Sequence, residues 1–294
     1  MLLGGFASQT YSSLSATPLT FYNLKNTNTT GLSVNSDITI VREFTLGASS
    51  NLTLNGDITL KSDATNTANV AEISAATITY GTGLFIVERY FTQKRAWRFL
   101  SVPTDNTQTI KAAWQEGASL TTDNPVPGYG TQITNNITGW SAAGFDYYSP
   151  NGPSAKTYDA ATNSWIGISG TNIPIKTNEG IMTFIRGDRT ANSLYASASP
   201  TVLRTKGKLY IGTQSTTPVT AGKFASIGNP YASALDMRKI DIAGGADSIF
   251  YVWDPKLASS LGFGAYQTFK FIGNDFRQTI TKEGYFVIFH VYDF

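Results

Sequence analysis

The sequence repeats itself close to its start: LSVNSDITI at residues 32–40 returns as LTLNGDITL at residues 52–60. Within each copy, apolar and polar residues alternate, which is the pattern of a half-buried β-strand. The central Asn-Ser-Asp or Asn-Gly-Asp is a turn signal. The offset of 20 residues between the copies is typical of one coil of a β-solenoid.

Two architectures fit this repeat, a short stack of parallel coils or two similar hairpins of a β-sandwich. We favour coils, because the whole nine-residue pattern repeats in register. Residues 1–83, which are rich in Thr and Asn, are therefore predicted to form a solenoid-like region.

From residue 84 onward the strands become longer and richer in aromatic residues. Many short strands separated by turns follow, and this pattern predicts an antiparallel, jelly-roll-like β-sandwich over residues 84–294. Short helices are predicted only at residues 109–116 and 233–240. The expected fold class is all-β, with a short solenoid-like N-terminal part followed by the sandwich.

The composition excludes several kinds of chemistry. The 294 residues include no Cys, a single His, and only 14% charged residues. Disulfide scaffolds, thiol nucleophiles, iron–sulfur clusters and Cys-ligated zinc are thereby excluded. A Ser-His-Asp triad would have to use His290, which lies in a strand-like run, and the sequence contains no Gly-x-Ser-x-Gly elbow. We therefore do not expect an enzyme.

Charge and hydropathy give expectations about partners and location. The formal net charge is +2, and Lys and Arg form no extended cluster, so nucleic-acid binding is not expected. No run of about 18 apolar residues is present, so no membrane span is expected. Strands rich in Thr, Ser and Asn and poor in charge are commonest in extracellular proteins, and we expect this location.

Several short blocks occur between residues 84 and 260: ERY at 88–90, RAWR at 95–98, AWQEG at 113–117, KTYD at 156–159, FIRGDR at 184–189, GNPYAS at 228–233 and FYVWDPKL at 250–257. Together they resemble blocks of large secreted surface proteins of Bacteroidota. The resemblance implies an adhesin-like or structural passenger of type IX secretion, and it supplies no catalytic residues. Members commonly end in a sorting domain, which nothing before Phe294 resembles. Either the chain is part of a longer protein or it is processed at the surface.

Aromatic side chains in polar segments suggest a carbohydrate-binding surface, since sugar C–H faces stack on flat rings. The candidate residues are Trp140, Tyr147, Tyr148, Tyr158 and Trp165. The alternative is that these rings fill the ends of the sandwich. Arg186-Gly187-Asp188 is a tripeptide that some integrins bind, but its place after a strand favours a structural turn.

Two further kinds of site are weaker hypotheses. A glycoside hydrolase needs two carboxylates that flank a bond, and Glu88, Glu116 and Asp254 lie beside aromatic residues. No cofactor is expected, although Asp57, Asp63 or Asp123 would suit a structural calcium ion.

The function that these observations favour is a non-enzymatic structural or adhesive protein of the cell surface. Low-charge strands pair readily at their edges, and residues 1–30 and 284–294 are the candidates for such pairing. The partner would be a second copy, in a homo-oligomer, fibre or surface layer, or another surface protein. The alternative function is a carbohydrate-binding module whose partners are glycans.

Overall fold

The computed structural model describes residues 1–105, 108–147, 152–175, 178–215, 221–240, 249–257, 263–272, 275–278 and 287–289. The N-terminal part is built almost entirely of short strands joined by tight turns. These strands are β1 (Leu2–Leu3), β2 (Gln9–Tyr11), β3 (Leu19–Asn26), β4 (Leu32–Val34), β5 (Ile38–Leu46), β6 (Asn51–Leu54), β7 (Ile58–Leu60), β8 (Asn69–Val70), β9 (Thr77–Tyr80) and β10 (Phe85–Phe91).

Strands of successive coils lie over one another and run parallel. One sheet has the order β2-β4-β6-β9, and the other begins β1-β3-β5-β7-β10, with β8 beside the second half of β5. In this register Leu32 pairs with Leu52, and Ile38 pairs with Ile58. The 20-residue offset in the sequence is therefore the step from one coil to the next. The predicted coils are confirmed, and the hairpin alternative is wrong.

Apolar side chains form columns through the interior of the coils. Leu19, Ile38, Ile58 and Phe85 occupy equivalent positions in four successive coils. An inward-facing side chain is covered by the coil on each side of it, and this burial stabilises the stack by about 25 cal/mol per Å² of apolar surface. The column explains why the sequence repeats an aliphatic residue at this position.

Polar side chains at the turn form a second set of contacts between coils. The Asn55 amide Nδ2 donates to Asn35 Oδ1 at 2.8 Å. Asp37 Oδ1 accepts the Asp57 backbone N–H at 2.8 Å, and Asp57 Oδ1 accepts the Leu84 N–H at 3.0 Å. The Asn and Asp side chains of the repeat therefore join the turn of one coil to the turn of the next by hydrogen bonds.

The rest of the chain forms antiparallel and mixed sheets. Its strands are β11 (Ala96–Leu100), β12 (Ala155–Asp159), β13 (Ser164–Gly167), β14 (Ile181–Ile185), β15 (Thr201–Gly207), β16 (Ala225–Ile227), β17 (Ile249–Asp254), β18 (Ala265–Ile272), β19 (Asp275–Gln278) and β20 (Val287–Phe289). One sheet is antiparallel, in the order β11-β14-β12-β13. Another has the order β16-β20-β17-β18-β19, in which only the pairs made by β20 are parallel. The all-β prediction, with a solenoid-like part and antiparallel sheets, is confirmed.

Helical structure is limited to two short segments in the described residues. The helix α1 (Ile110–Trp114) begins after Thr109, whose Oγ1 accepts the Ala112 N–H at 3.1 Å. Of the helix predicted at residues 233–240, only the 3₁₀ turn Met237–Lys239 forms. None of the residues of this turn is buried, so packing does not support a longer helix there.

The sheet that contains β1, β3, β5 and β7 continues across residue 83. Residues 85–87 of β10 pair in parallel with β7, and the whole of β10 pairs antiparallel with β15. The division into domains at 1–83 and 84–294 stays a prediction, but hydrogen bonding joins the coils to the later sheets through β10.

Candidate functional site

The N-terminal end of the solenoid is open. Leu19 is the first member of the apolar column, and it is 48% exposed, whereas Ile38 and Ile58 are 2% and 0% exposed. The short strand β1 pairs only with Lys25 and Asn26 of β3. No described strand pairs with the outer edge of β2, or with the outer edge of residues 19–22 of β3, whose other edge pairs with β5. The inner face of this coil therefore ends in solvent.

The surface at this end mixes exposed apolar side chains with Ser and Thr, and it carries almost no charge. Phe6 and Leu14 are fully exposed, and Leu2 and Tyr22 are more than half exposed. Residues 1–24 contain no Asp, Glu, Lys, Arg or His. Edge strands of soluble proteins are usually protected from pairing by charged residues, especially Lys. We call residues 1–24 of this coil, with their unpaired strand edges, the open end.

The opposite end of the solenoid is closed by later parts of the chain at the β10 edge, whereas β9 is the last strand of its sheet. Strand β15 lies antiparallel along the outer edge of β10. The Tyr80 hydroxyl, at the end of β9, accepts the Leu209 N–H at 3.0 Å, and Lys208 Nζ lies 5.6 Å from the centre of its ring. Burial raises the pKa of Tyr80 to about 12. Lys206 Nζ also binds Asp57 Oδ2 at 2.6 Å.

The C-terminal strand predicted to pair at an edge lies partly within a sheet. Val287–Phe289 forms β20, which pairs with β16 on one side and with β17 on the other. The rest of residues 284–294, with His290, lies outside the described residues. Of the two predicted edge segments, the N-terminal one has an unpaired edge among the described residues.

Two of the five candidate sugar-binding aromatics form a stacked pair. The rings of Trp140 and Tyr147 are 4.8 Å apart and inclined by 25°. Tyr147 is exposed, while Trp140 is half-buried against the core around α1. Tyr148 lies outside the described residues.

Tyr158 and Trp165 belong instead to a layer of aromatic rings between two sheets. They contact each other, and Trp165 packs against Phe99 with the ring centres 4.9 Å apart. Trp165 Nε1 donates to the Tyr266 hydroxyl at 3.1 Å, and burial raises the pKa of Tyr266 to about 12. Phe99 in turn stacks on Trp253. These positions fit the packing alternative better than an open sugar-binding surface.

Two candidate carboxylates are joined through intervening side chains. Arg204 binds Glu116 through two hydrogen bonds, of 2.6 and 3.1 Å. The Arg204 guanidinium lies 4.6 Å from the centre of the Tyr129 ring, and the Tyr129 hydroxyl donates to Glu88 Oε1 at 3.3 Å. The third candidate, Asp254, accepts a hydrogen bond from Gln267. The contacts of Glu88 and Glu116 suit a structural network that joins β10, β15 and the loop containing Tyr129.

The buried Glu88 carboxylate gives a testable pH dependence. Burial raises its pKa above the ordinary 4.5, although the Ser62 N–H, Lys61, Tyr129 and Arg204 favour the charged form. The folded protein therefore holds this proton more tightly than the unfolded chain does. Glu88 adds stability at pH values below about 4.5, and this contribution is lost as the pH rises through the raised pKa.

We expect the parent to gain stability relative to Glu88→Gln as the pH falls from about 7 to about 4.5. Urea denaturation of both proteins across this range measures the difference, in which the other titrating groups cancel. A difference that does not change with pH would contradict the assignment.

The Arg-Gly-Asp tripeptide is not displayed for binding. Arg186 and Asp188 are 6% and 8% exposed. Asp188 accepts hydrogen bonds from the Gly128 N–H at 3.1 Å and from Ser199 Oγ at 2.9 Å. These contacts hold the segment against neighbouring loops, in line with the structural turn predicted from the sequence.

The three Asp residues considered for calcium have protein partners. Asp57 binds Lys206, Asp63 accepts from Thr65 and Asn66, and Asp123 accepts the Leu120 N–H. Among the residues that the structure describes, no three His, Cys, Asp or Glu side chains are grouped so that they could hold a metal ion.

Comparison with known proteins adds no further information. No protein-family model matches the chain, and no curated protein or solved structure is significantly similar to it. In the described part of the chain, no helix has the length and apolar character needed to cross a membrane.

Proposed function

We propose that this chain is a non-enzymatic structural or adhesive protein of the cell exterior, and that it acts by pairing the open end of its solenoid with β-strands of a partner. The observation that carries the proposal is the difference between the two ends. The apolar column is closed by β15 at one end, and at the other it terminates in the half-exposed Leu19. Strand addition at such an edge is a common mode of protein recognition.

The backbone at the open end has the groups needed for strand addition. Lys25 and Thr27 donate their N–H groups to Met1 and Leu3, on the side away from β5. In a β-strand, residues whose side chains lie on the same face also direct their N–H and C=O groups to the same edge. The Thr20 side chain faces outward, as the Lys25 side chain does, so the Thr20 N–H and C=O lie at the outer edge of β3. A strand that supplied inward aliphatic residues there would extend both the hydrogen-bond ladder and the apolar column. The low charge and the Thr- and Asn-rich strands favour an exterior location.

A labelled peptide with the sequence of residues 32–40 tests this proposal. The peptide has the alternating sequence of one solenoid repeat. It is short enough to pair beside β2 and the start of β3 without reaching Lys25 and Asn26, which β1 already covers. We expect saturable binding by fluorescence anisotropy at peptide concentrations up to about 1 mM, and none for a scrambled peptide. Binding should be lost in Leu19→Lys and kept in Ile166→Lys, because both parent residues are 48% exposed but only Leu19 lies at the open end. Absence of binding to the monomeric chain, or equal binding to both variants, would overturn the proposal.

Carbohydrate binding is the second candidate, and the Trp140–Tyr147 stack is the observation that favours it. Its test is a glycan array probed with the parent, Tyr147→Ala and Phe6→Ala. Loss of a glycan signal in Tyr147→Ala alone would support this function, because Phe6 is also exposed but belongs to the open end. A parent that binds no glycan would exclude it for the glycans on the array.

A further inference from the structure

We propose that the partner at the open end is a second copy of this chain, and that two copies join end to end in a closed dimer related by a two-fold axis. This inference rests on the proposed function, to which it adds the partner and the symmetry. It differs from a fibre, because a fibre needs two different ends that fit each other.

The closed end of the solenoid argues against head-to-tail stacking. In the sheet that contains β10, a second open edge would have to be the far edge of β15, and backbone contacts cover that edge. Val202 donates its N–H to Gly128 O at 3.0 Å and accepts the Gly130 N–H at 2.9 Å. Further along, the Lys206 and Lys208 N–H groups donate to Gln108 and Asp105. Among the described strands, a head-to-tail contact could therefore pair β2 of one copy with the outer edge of β9 of the other, but β3 would meet no free edge.

The open end is complementary to itself in charge. When the same patch from two copies meets across a two-fold axis, each charged group on the patch lies near the identical group of the other copy. The repulsion between these like charges destabilises the dimer. Residues 1–24 carry no charged side chain, so the side chains of two open ends meet without this repulsion. The N-terminal ammonium is held on Asn23 O at 2.6 Å, beside the part of β3 that β1 covers.

The open end is also complementary to itself in hydrogen bonding and in apolar surface. A free strand edge presents both N–H and C=O groups, and two such edges related by a two-fold axis pair antiparallel. The exposed Leu19 side chains of the two copies would then continue the apolar column from one solenoid into the other. Phe6 and Leu14, which are fully exposed, would gain a surface to pack against.

Sedimentation velocity of the intact chain, with any affinity tag at the C-terminus, tests the dimer. At about 100 μM we expect a species of twice the 31.7 kDa chain mass. Two variants should be monomeric: Leu19→Lys places a charge at the junction, and Thr20→Pro removes an N–H from the outer edge of β3, with which no described strand pairs at this position. Ile166→Lys should remain dimeric. Circular dichroism checks that all variants are folded.

Two results would overturn the dimer. One is a parent that stays monomeric at this concentration, and the other is a series of ever larger species, which indicates head-to-tail growth. The peptide experiment separates this inference from the proposed function. A monomeric chain that binds the peptide of residues 32–40 would disprove the second copy as partner and leave strand docking intact, while a monomer that does not bind it would disprove both.

Discussion

Replacement of Arg189 with Ala is expected to lower the free energy of unfolding by about 3–5 kcal/mol. The Arg189 side chain is fully buried and forms an ion pair of 2.8 Å with Asp146, which is also buried. Its five N–H donors are all used: they bind both Asp146 carboxylate oxygens and the carbonyl oxygens of Leu120, Asp123 and Thr131.

The expected loss comes mainly from what Arg189→Ala leaves behind. Asp146 would remain a buried carboxylate with only the Gln115 amide and the Ile133 N–H as donors. The Asp123 and Thr131 carbonyl groups would lose the Arg189 donor at the same time, whereas Leu120 O would keep the Asp123 N–H, and buried groups without a partner are costly.

Equilibrium urea denaturation measures the effect, and Arg238→Ala is the matched control. Arg238 also pairs with an Asp, at 2.8 Å, but its side chain is 60% exposed, so no measurable change in the midpoint is expected. A loss of less than about 1 kcal/mol in Arg189→Ala would show that this network does not hold the loop of residues 120–131 in place.

Gly83→Ala is expected to cost about 1–3 kcal/mol, because the turns of successive coils are stacked in close contact. Ser36, Gly56 and Gly83 follow one another at this corner of the solenoid. A Cβ on Gly83 would overlap the Gly56 carbonyl and lie 2.6 Å from its carbon. The obstructing atoms are all backbone, so the coils themselves would have to move apart.

Thermal or urea denaturation of Gly83→Ala measures this cost, and Gly152→Ala is its control. A Cβ on Gly152 meets no atom within 4 Å, and the backbone there suits other residues, so its substitution should be neutral. Equal stability of the two variants would contradict the close stacking of the turns.

The coils could be predicted from the sequence because their contacts repeat at a fixed step. The aliphatic positions of the repeat pack on their own equivalents, as Ile38 does on Ile58. The turn contacts between Asp37 and Asp57 likewise join equivalent residues. The helix α1 was also predictable, since its Thr109 cap and its buried face are both local features.

Contacts between unrelated parts of the chain leave no such trace in the sequence. Trp165 and Tyr266 are 101 residues apart, and Arg189 and Asp146 are 43 apart. The sequence predicts Trp165 as a candidate sugar-binding residue because it gives no sign of the second sheet that covers this side chain, which comes from a distant segment. The open end carried one sequence signal, the lack of charge in residues 1–24, but its exposure became clear only from the coil stacking.

Hydrogen–deuterium exchange of the intact chain, diluted until it is monomeric and measured with and without the peptide of residues 32–40, tests most directly whether the open end is the docking surface. We expect the peptide to slow exchange in residues 9–22, where β2 and β3 present their free edges, and to leave exchange in the strands β11–β14 unchanged. Unchanged exchange in residues 9–22, or slowing confined to another part of the chain, would contradict it.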